Sequence, residues 1–120
     1  MKFRWTRVAA AAALSATLMA PAGAHPRLVA ATPAINGVAS TTTAIALKFN
    51  ERLIARFSGL AINRAASTPV GAITTTLGTD GRTLMAHLPA PLAAGSYTLA
   101  WHAVSVDTHR VTGSYRFTVR

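Results

Sequence analysis

Short runs of alternating apolar and polar residues follow one another from residue 28 onward, and turn residues separate them. Apolar side chains occupy every second position in residues 97–103 and again in residues 115–119. A period of two places these side chains on one face of a β-strand, and that face can be buried against a core. The pair Asp80-Gly81, flanked by Leu77 and Leu84, is the strongest hairpin signal in the sequence.

Together, the runs predict strands over residues 28–31, 43–50, 59–64, 70–77, 82–88, 97–103 and 115–119. The runs recur roughly every ten residues, and no helical periodicity follows residue 24. The predicted fold is therefore all-β: a single antiparallel Greek-key β-sandwich or barrel of about seven strands.

The first 24 residues differ from the rest of the chain. Three basic residues stand within the first seven positions, residues 8–19 are apolar, and residues 22–24 are Ala-Gly-Ala. This is the pattern of a secretory signal peptide with its cleavage site. The apolar run is shorter than the roughly 20 residues that a membrane-spanning helix needs. We therefore predict that residues 1–24 are removed on export, and that residues 25–120 form one soluble domain without a membrane span.

The chain has no cysteine and is strongly basic. The absence of thiols excludes a thiolate zinc site and a blue-copper centre, which need cysteine sulfur. Residues 25–120 keep nine of the twelve Lys and Arg residues and all three acids, which gives a net charge of +6. The arginines are scattered, and an exported protein does not meet nucleic acid. We expect the charge to serve solubility and weak attraction to anionic surfaces, and we predict no nucleic-acid partner.

Cleavage after Ala24 makes His25 the first residue of the mature protein. Its α-amino nitrogen and its imidazole Nδ1 can then bind one metal ion and close a six-membered chelate ring. Pro26 has no backbone N–H that could be deprotonated to compete as a ligand. The amine and the imidazole have ordinary pKa values near neutrality, so a metal ion can displace their protons there.

Asp107 and His109 stand two residues apart between the last two predicted strands. On extended backbone both side chains leave the same face and can converge on one atom. With His25 they offer three nitrogens and one carboxylate oxygen, a donor set that suits Cu(II). A D-x-H motif alone is a weak signal. A surface histidine is usually solvated, and an aspartate often accepts hydrogen bonds from the backbone N–H groups of its own turn. The histidine at the cleavage site is the stronger signal, and together they favour a metal site.

Other polar residues are weaker candidates. His87 and His102 each lie opposite the apolar face of their strand, so both are expected to point to solvent. Ser105, Asp107 and His109 suggest Ser-His-Asp chemistry by composition, but three residues so close along one strand cannot form a relayed triad.

Several motifs follow in a specific order: H-P-x-L at 25–28, T-P at 32–33, F-N-E at 49–51, G-x-Y-x-L-x-W at 95–101, V-S-x-D-x-H at 104–109 and G-x-x-x-F-x-V at 113–119. In this order they resemble the CopC family of bacterial periplasmic copper-binding proteins. The resemblance extends over essentially all of residues 25–120.

The resemblance implies a cupredoxin-like β-barrel or sandwich, a periplasmic location, and a Cu(II) site formed by the amine and imidazole of His25 with Asp107 and His109. Glu51 matches the family's acidic residue near that site, where it would orient a ligand or bind axially. An ion pair with an arginine is the alternative for Glu51. The implied role is copper homeostasis or resistance, and the implied partner is an inner-membrane copper importer of the CopD type. We expect a monomer or a weak dimer.

The sequence departs from the family pattern at two places. The family usually has Asp-Gly-His, and Thr108 stands where the glycine would be, so a positive φ there would strain the loop. Some members also carry a Met-rich segment that binds Cu(I) through thioethers. Residues 55–76 contain no methionine, and Met85 is the only one after residue 24. One thioether cannot build a soft site, so we expect a Cu(II) site only.

Three functions remain open at this point. The first is a periplasmic protein that holds or delivers Cu(II) without catalysis. The second is an enzyme, because an amine-imidazole chelate with a second histidine resembles the histidine brace of copper monooxygenases. The third is a metal-free β-sandwich domain used for adhesion or assembly.

Overall fold

The computed structural model describes residues 25–41, 43–65 and 68–120, so the predicted signal peptide lies outside the described residues. Their strands are β1 Leu28–Thr32, β2 Val38–Ala39, β3 Ala44–Phe49, β4 Gly59–Arg64, β5 Thr68–Pro69, β6 Thr74–Leu77, β7 Thr83–His87, β8 Gly95–Val104 and β9 Arg110–Val119. A short 3-10 helix, Ala55–Phe57, lies between β3 and β4.

The strands form two sheets. One has the order β1-β3-β7-β6 and is antiparallel throughout. The other has the order β2-β9-β8-β4-β5 and is antiparallel except for its edge, where β2 runs parallel to β9. The predicted all-β sandwich is confirmed, and the parallel edge pair is a feature that the alternating pattern did not indicate.

The core lies between the inner faces of the two sheets and follows the predicted period of two. Along β3 and β8 the buried residues alternate with more exposed ones. The buried apolar residues are Ile45, Leu47, Phe49, Leu53, Ile62, Leu84, Ala86, Leu88, Leu92, Tyr97, Leu99, Trp101, Ala103, Tyr115, Phe117 and Val119. Because residues 25–120 lack cysteine, burial of this apolar surface, at about 25 cal/mol per Å², must supply most of the stability.

Trp101 makes two contacts that fix its packing in the core. The Phe49 and Trp101 rings meet edge to face with centroids 5.0 Å apart, which joins the two sheets. Trp101 also pairs with Gly113 across β8 and β9, and a Cβ at position 113 would lie 2.6 Å from Trp101 Cε2. The indole of Trp101 therefore occupies the volume that a side chain at position 113 would need.

The predicted strands match the observed ones closely. β4 has the predicted bounds, and the other predicted strands differ by one to five residues at one or both ends, most of all β9, which begins at Arg110 rather than at residue 115. The two strands that were not predicted, β2 and β5, have two residues each. No helix among the described residues is long and apolar enough to cross a membrane.

Candidate metal centre

The loop between β8 and β9 holds two of the predicted ligands. The Thr108 N–H donates to the Ser105 carbonyl at 2.8 Å, and the Ser105 N–H donates to the His109 carbonyl at 2.9 Å. These two hydrogen bonds close residues 105–109 into a tight hairpin turn. The backbone positions of Asp107 and His109 are therefore set by the strands on either side.

Within this loop the Asp107 and His109 side chains contact each other. His109 Nδ1 lies 3.0 Å from Asp107 Oδ2, and the two side chains are 44% and 40% exposed. The other carboxylate oxygen, Oδ1, accepts a hydrogen bond from the Ser105 hydroxyl. The hydrogen bond from Ser105, with further contributions from His109, holds the pKa of the Asp107 carboxyl below its usual value. The carboxylate is therefore ionised at neutral pH and can bind a cation.

Thr108 adopts the left-handed conformation, with φ of 73°. The sequence predicted strain at this position if its φ were positive, and the structure meets that condition. A β-branched residue is disfavoured in this region because its Cβ approaches the following carbonyl. The Thr108 hydroxyl donates to the Asp107 carbonyl at 2.6 Å, a local contact that offsets part of the cost.

His25 is brought to the loop by the segment that leads into β1. Pro26 is fully buried. The Arg27 N–H donates to Asn50 Oδ1 at 2.7 Å, and the Asn50 N–H donates to the Arg27 carbonyl at 3.1 Å. This two-way contact fixes the chain two residues after His25. The imidazole of His25 then meets that of His109 edge-on, with ring centroids 4.8 Å apart.

Glu51 lies between two residues that hold the ligand-bearing segments. Its predecessor Asn50 binds the backbone of Arg27, and the carbonyl of its successor Arg52 accepts the Val106 N–H at 3.0 Å. Glu51 itself is half-buried and forms no hydrogen bond or ion pair with the described residues. The ion pair with an arginine, considered from the sequence, is therefore not formed within the described part of the chain.

The three predicted side-chain ligands form a chain of contacts rather than a closed cluster. His25 contacts His109, and His109 contacts Asp107. Across the described residues, no three or more His, Cys, Asp and Glu side chains are gathered closely enough to hold a metal ion. The fourth predicted donor, the α-amino nitrogen of His25, is in the full chain part of the peptide bond to Ala24.

The contact distances fit a metal ion nevertheless. Two donors that bind one metal at about 2.0 Å and at right angles stand about 2.8 Å apart. His109 Nδ1 and Asp107 Oδ2, at 3.0 Å, already have nearly this separation. Two imidazoles on one metal have centroids within roughly 6 Å of each other, and His25 and His109 meet that condition at 4.8 Å. Both separations are of the size found between ligands of one metal ion.

The remaining histidines lie elsewhere. His87 is exposed at the end of β7. His102 lies on the outer face of β8, as predicted, but it is half-buried rather than fully solvated. Its ring lies over Gly59, where a Cβ would come within 3.0 Å of the imidazole. Neither histidine contacts the His25–His109 pair.

The fold and these contacts define a small β-sandwich protein with a candidate metal centre at one end. The CopC domain matches residues 28–120, and the chain belongs to the CopC family. It is 37% identical over 105 residues to Copper resistance protein C of Pseudomonas syringae pv. tomato, covering 82% of this chain and 83% of the relative.

Two solved structures have the same fold. PcoC, a methionine-rich copper resistance protein from Escherichia coli, is 35% identical with a TM-score of 0.75, covering 81% of this chain and all of that one. CopC from Methylosinus trichosporium OB3b is 31% identical with a TM-score of 0.71, covering 79% of this chain and 93% of that one. The family predicted from the motifs is confirmed.

Proposed function

We propose that this chain, once residues 1–24 are removed, is a periplasmic protein that binds one Cu(II) ion to sequester or deliver it, without catalysis. The ligands are the α-amino nitrogen and imidazole of His25, the carboxylate of Asp107 and the imidazole of His109. The observation that carries this proposal is the meeting of His25 with the Asp107–His109 pair, although the first and the last two lie at opposite ends of the domain sequence.

The chemistry of the donors favours Cu(II) over other cations. Three nitrogens and one carboxylate oxygen suit the tetragonal geometry of Cu(II), which also binds most tightly in the divalent series. No thiolate is available anywhere in the chain, and Met85 is the only thioether after residue 24, so a soft Cu(I) site is not supported. The relatives named as copper resistance proteins support copper as the metal and resistance or homeostasis as the role.

Glu51 is proposed to act beside the ligands. Its two chain neighbours contact the segments that carry His25 and Asp107, which supports a position of Glu51 beside the ligands. From such a position its carboxylate would orient the His25 amine or bind the metal axially. For delivery, we propose an inner-membrane copper importer of the CopD type as the partner, with the protein itself a monomer or weak dimer.

The proposal is tested by titrating the protein that begins at His25 with Cu(II) and recording its electron paramagnetic resonance spectrum. We expect one tight equivalent with nitrogen hyperfine structure. Binding should weaken on acidification, because protons compete for the amine and both imidazoles. Absence of a bound signal would instead favour a metal-free interaction domain, and peroxide formation with ascorbate at the bound copper would favour a histidine-brace enzyme.

A further inference from the structure

A buried serine stands directly behind the exposed metal-ligand pair. Ser105 is 1% exposed, and its hydroxyl donates to Asp107 Oδ1. Asp107 is itself on the exposed tip of the loop. The Ser105 hydroxyl is thus the buried partner of a carboxylate whose other contacts, to the backbone N–H and Nδ1 of His109, come from the exposed loop.

The contact decides which carboxylate oxygen faces His109. Oδ1 accepts from the Ser105 hydroxyl and, at a longer 3.5 Å, from the His109 backbone N–H, while Oδ2 lies 3.0 Å from His109 Nδ1. Without the serine hydroxyl, the Asp107 carboxylate is freer to rotate about its side-chain torsions, and its contact with the His109 imidazole becomes less populated. An exposed aspartate loses conformational entropy when its side chain is held in one orientation. The hydrogen bond from the buried hydroxyl offsets that loss.

We propose that Ser105 is a positioning residue of the metal centre. It holds Oδ1 so that Oδ2 stays on His109 Nδ1 before the metal arrives, and it thereby keeps the Asp107 carboxylate a one-oxygen donor. The consequence for copper rests on the proposed function, whereas the effect on Asp107 and His109 does not. Groups that orient metal ligands typically account for roughly 10- to 100-fold in metal affinity.

The backbone of the loop does not depend on the hydroxyl. The Ser105 N–H still donates to the His109 carbonyl, and the Thr108 N–H still donates to the Ser105 carbonyl, when the side chain is shortened. The hydroxyl also lies 3.3 Å from the His109 carbonyl oxygen, a longer contact within the same loop. Ser105→Ala therefore removes the link to Asp107 while the hairpin turn stays closed.

Ser58 provides a matched control. It is the other buried polar side chain of the described residues, 6% exposed, and its Oγ accepts the Val104 N–H at 3.0 Å. Ser58→Ala removes a buried serine hydroxyl from the same end of β8 without touching Asp107. Any general effect of losing such a hydroxyl should appear in both variants.

The first measurement needs no metal. All described strands lie within residues 28–119, so the protein beginning at His25 contains the whole fold. At a pH of about 8, nitrogen-15 NMR of the His109 ring should show the proton on Nδ1 in the wild type and in Ser58→Ala. In Ser105→Ala we expect the signals to shift toward a mixture of the two tautomers. Ser105→Cys, which keeps the volume but is a weak donor, should fall between them.

The second measurement is a Cu(II) titration of the same proteins. We expect Ser105→Ala to bind roughly 10- to 100-fold more weakly than the wild type, and Ser58→Ala to bind like the wild type. An unchanged His109 tautomer in Ser105→Ala, or equal changes in both alanine variants, would overturn the proposal. If the tautomer changes as expected but no variant binds copper, the positioning stands and the proposed function fails.

Discussion

The imidazole of His25 lies edge-on to the imidazole of His109, with 4.8 Å between the ring centroids. His25 enters from the edge strand β1 of one sheet, and His109 precedes β9 of the other. The contact therefore exists only when the two sheets are packed together. A metal centre built on this pair depends on the complete sandwich rather than on a local motif.

Removal of the His109 imidazole should abolish tight copper binding. We expect His109→Ala to weaken Cu(II) affinity by orders of magnitude, because it removes a nitrogen donor that contacts both His25 and Asp107. His87→Ala is the matched control, since His87 is an exposed histidine on β7 away from the pair. Equal Cu(II) affinity of the two variants in a competition titration would show that His109 is not a ligand.

Replacing Thr108 by glycine should stabilise the fold. The φ of 73° costs an ordinary residue roughly 1–2 kcal/mol, and glycine has no such cost. Part of this gain is lost, because glycine raises the conformational entropy of the unfolded chain. The contact of the threonine hydroxyl with the Asp107 carbonyl is also lost. We expect a net gain of at most about 1 kcal/mol in the free energy of unfolding by urea.

The comparison for Thr108→Gly is Ala72→Gly, at another residue with positive φ, 55°. Alanine is not β-branched, so the gain there should be smaller. A lower unfolding free energy for Thr108→Gly than for the wild type would mean that the hydroxyl contact outweighs the backbone strain.

Gly113→Ala should destabilise the sandwich. The added Cβ would lie 2.6 Å from Trp101 Cε2, and the indole cannot withdraw without losing its contact with Phe49. Overpacking of this kind costs roughly 1–3 kcal/mol. Gly71→Ala is the control, because a Cβ at that position would meet nothing within 4 Å. Urea unfolding of both variants checks the prediction, and similar midpoints would contradict it.

Tyr115 should make stability fall at alkaline pH. Burial raises the pKa of its phenol to about 12 from 10.0, and its hydroxyl donates to the Pro33 carbonyl at 2.9 Å. The folded state therefore keeps the proton that the unfolded state loses. The stability from the neutral phenol is fully present below pH 10 and is lost as the pH rises toward 12.

The size of this loss should be about 2–3 kcal/mol. Tyr115→Phe cannot ionise, so the difference in unfolding free energy between wild type and variant should shrink as the pH rises above 10. A difference that stays constant over this range would show that the phenol ionises equally in both states.

The strands were predictable because burial imposes a period of two on the sequence. β8 and β9, with their buried Tyr97, Leu99, Tyr115 and Phe117, are clear examples. The parallel pair of β2 with β9 was not predicted, since two residues are too short to show any period. Register across the sheets also escapes a pattern analysis, because it is set by packing between distant strands.

The candidate ligands were predictable from their chemistry, but their supports were not. Ser105 was considered only as part of a triad, and its contact with Asp107 became visible only in the structure. The sequence did carry a signal, since Ser105 lies only two residues before Asp107, and serine and aspartate side chains often bond to near neighbours in a turn. The pair of hydrogen bonds between Asn50 and Arg27 joins residues far apart in the chain, and no local sequence pattern indicates it.

The most direct test of the central claim is the Cu(II) affinity of two proteins, one beginning at His25 and one that retains Ala24 before it. The single added residue converts the terminal amine to an amide while it leaves Asp107 and His109 unchanged. We predict that the protein beginning at His25 binds one Cu(II) tightly and that the extended protein binds orders of magnitude more weakly. Equal affinities would contradict the account, because the α-amino nitrogen would then not be a ligand.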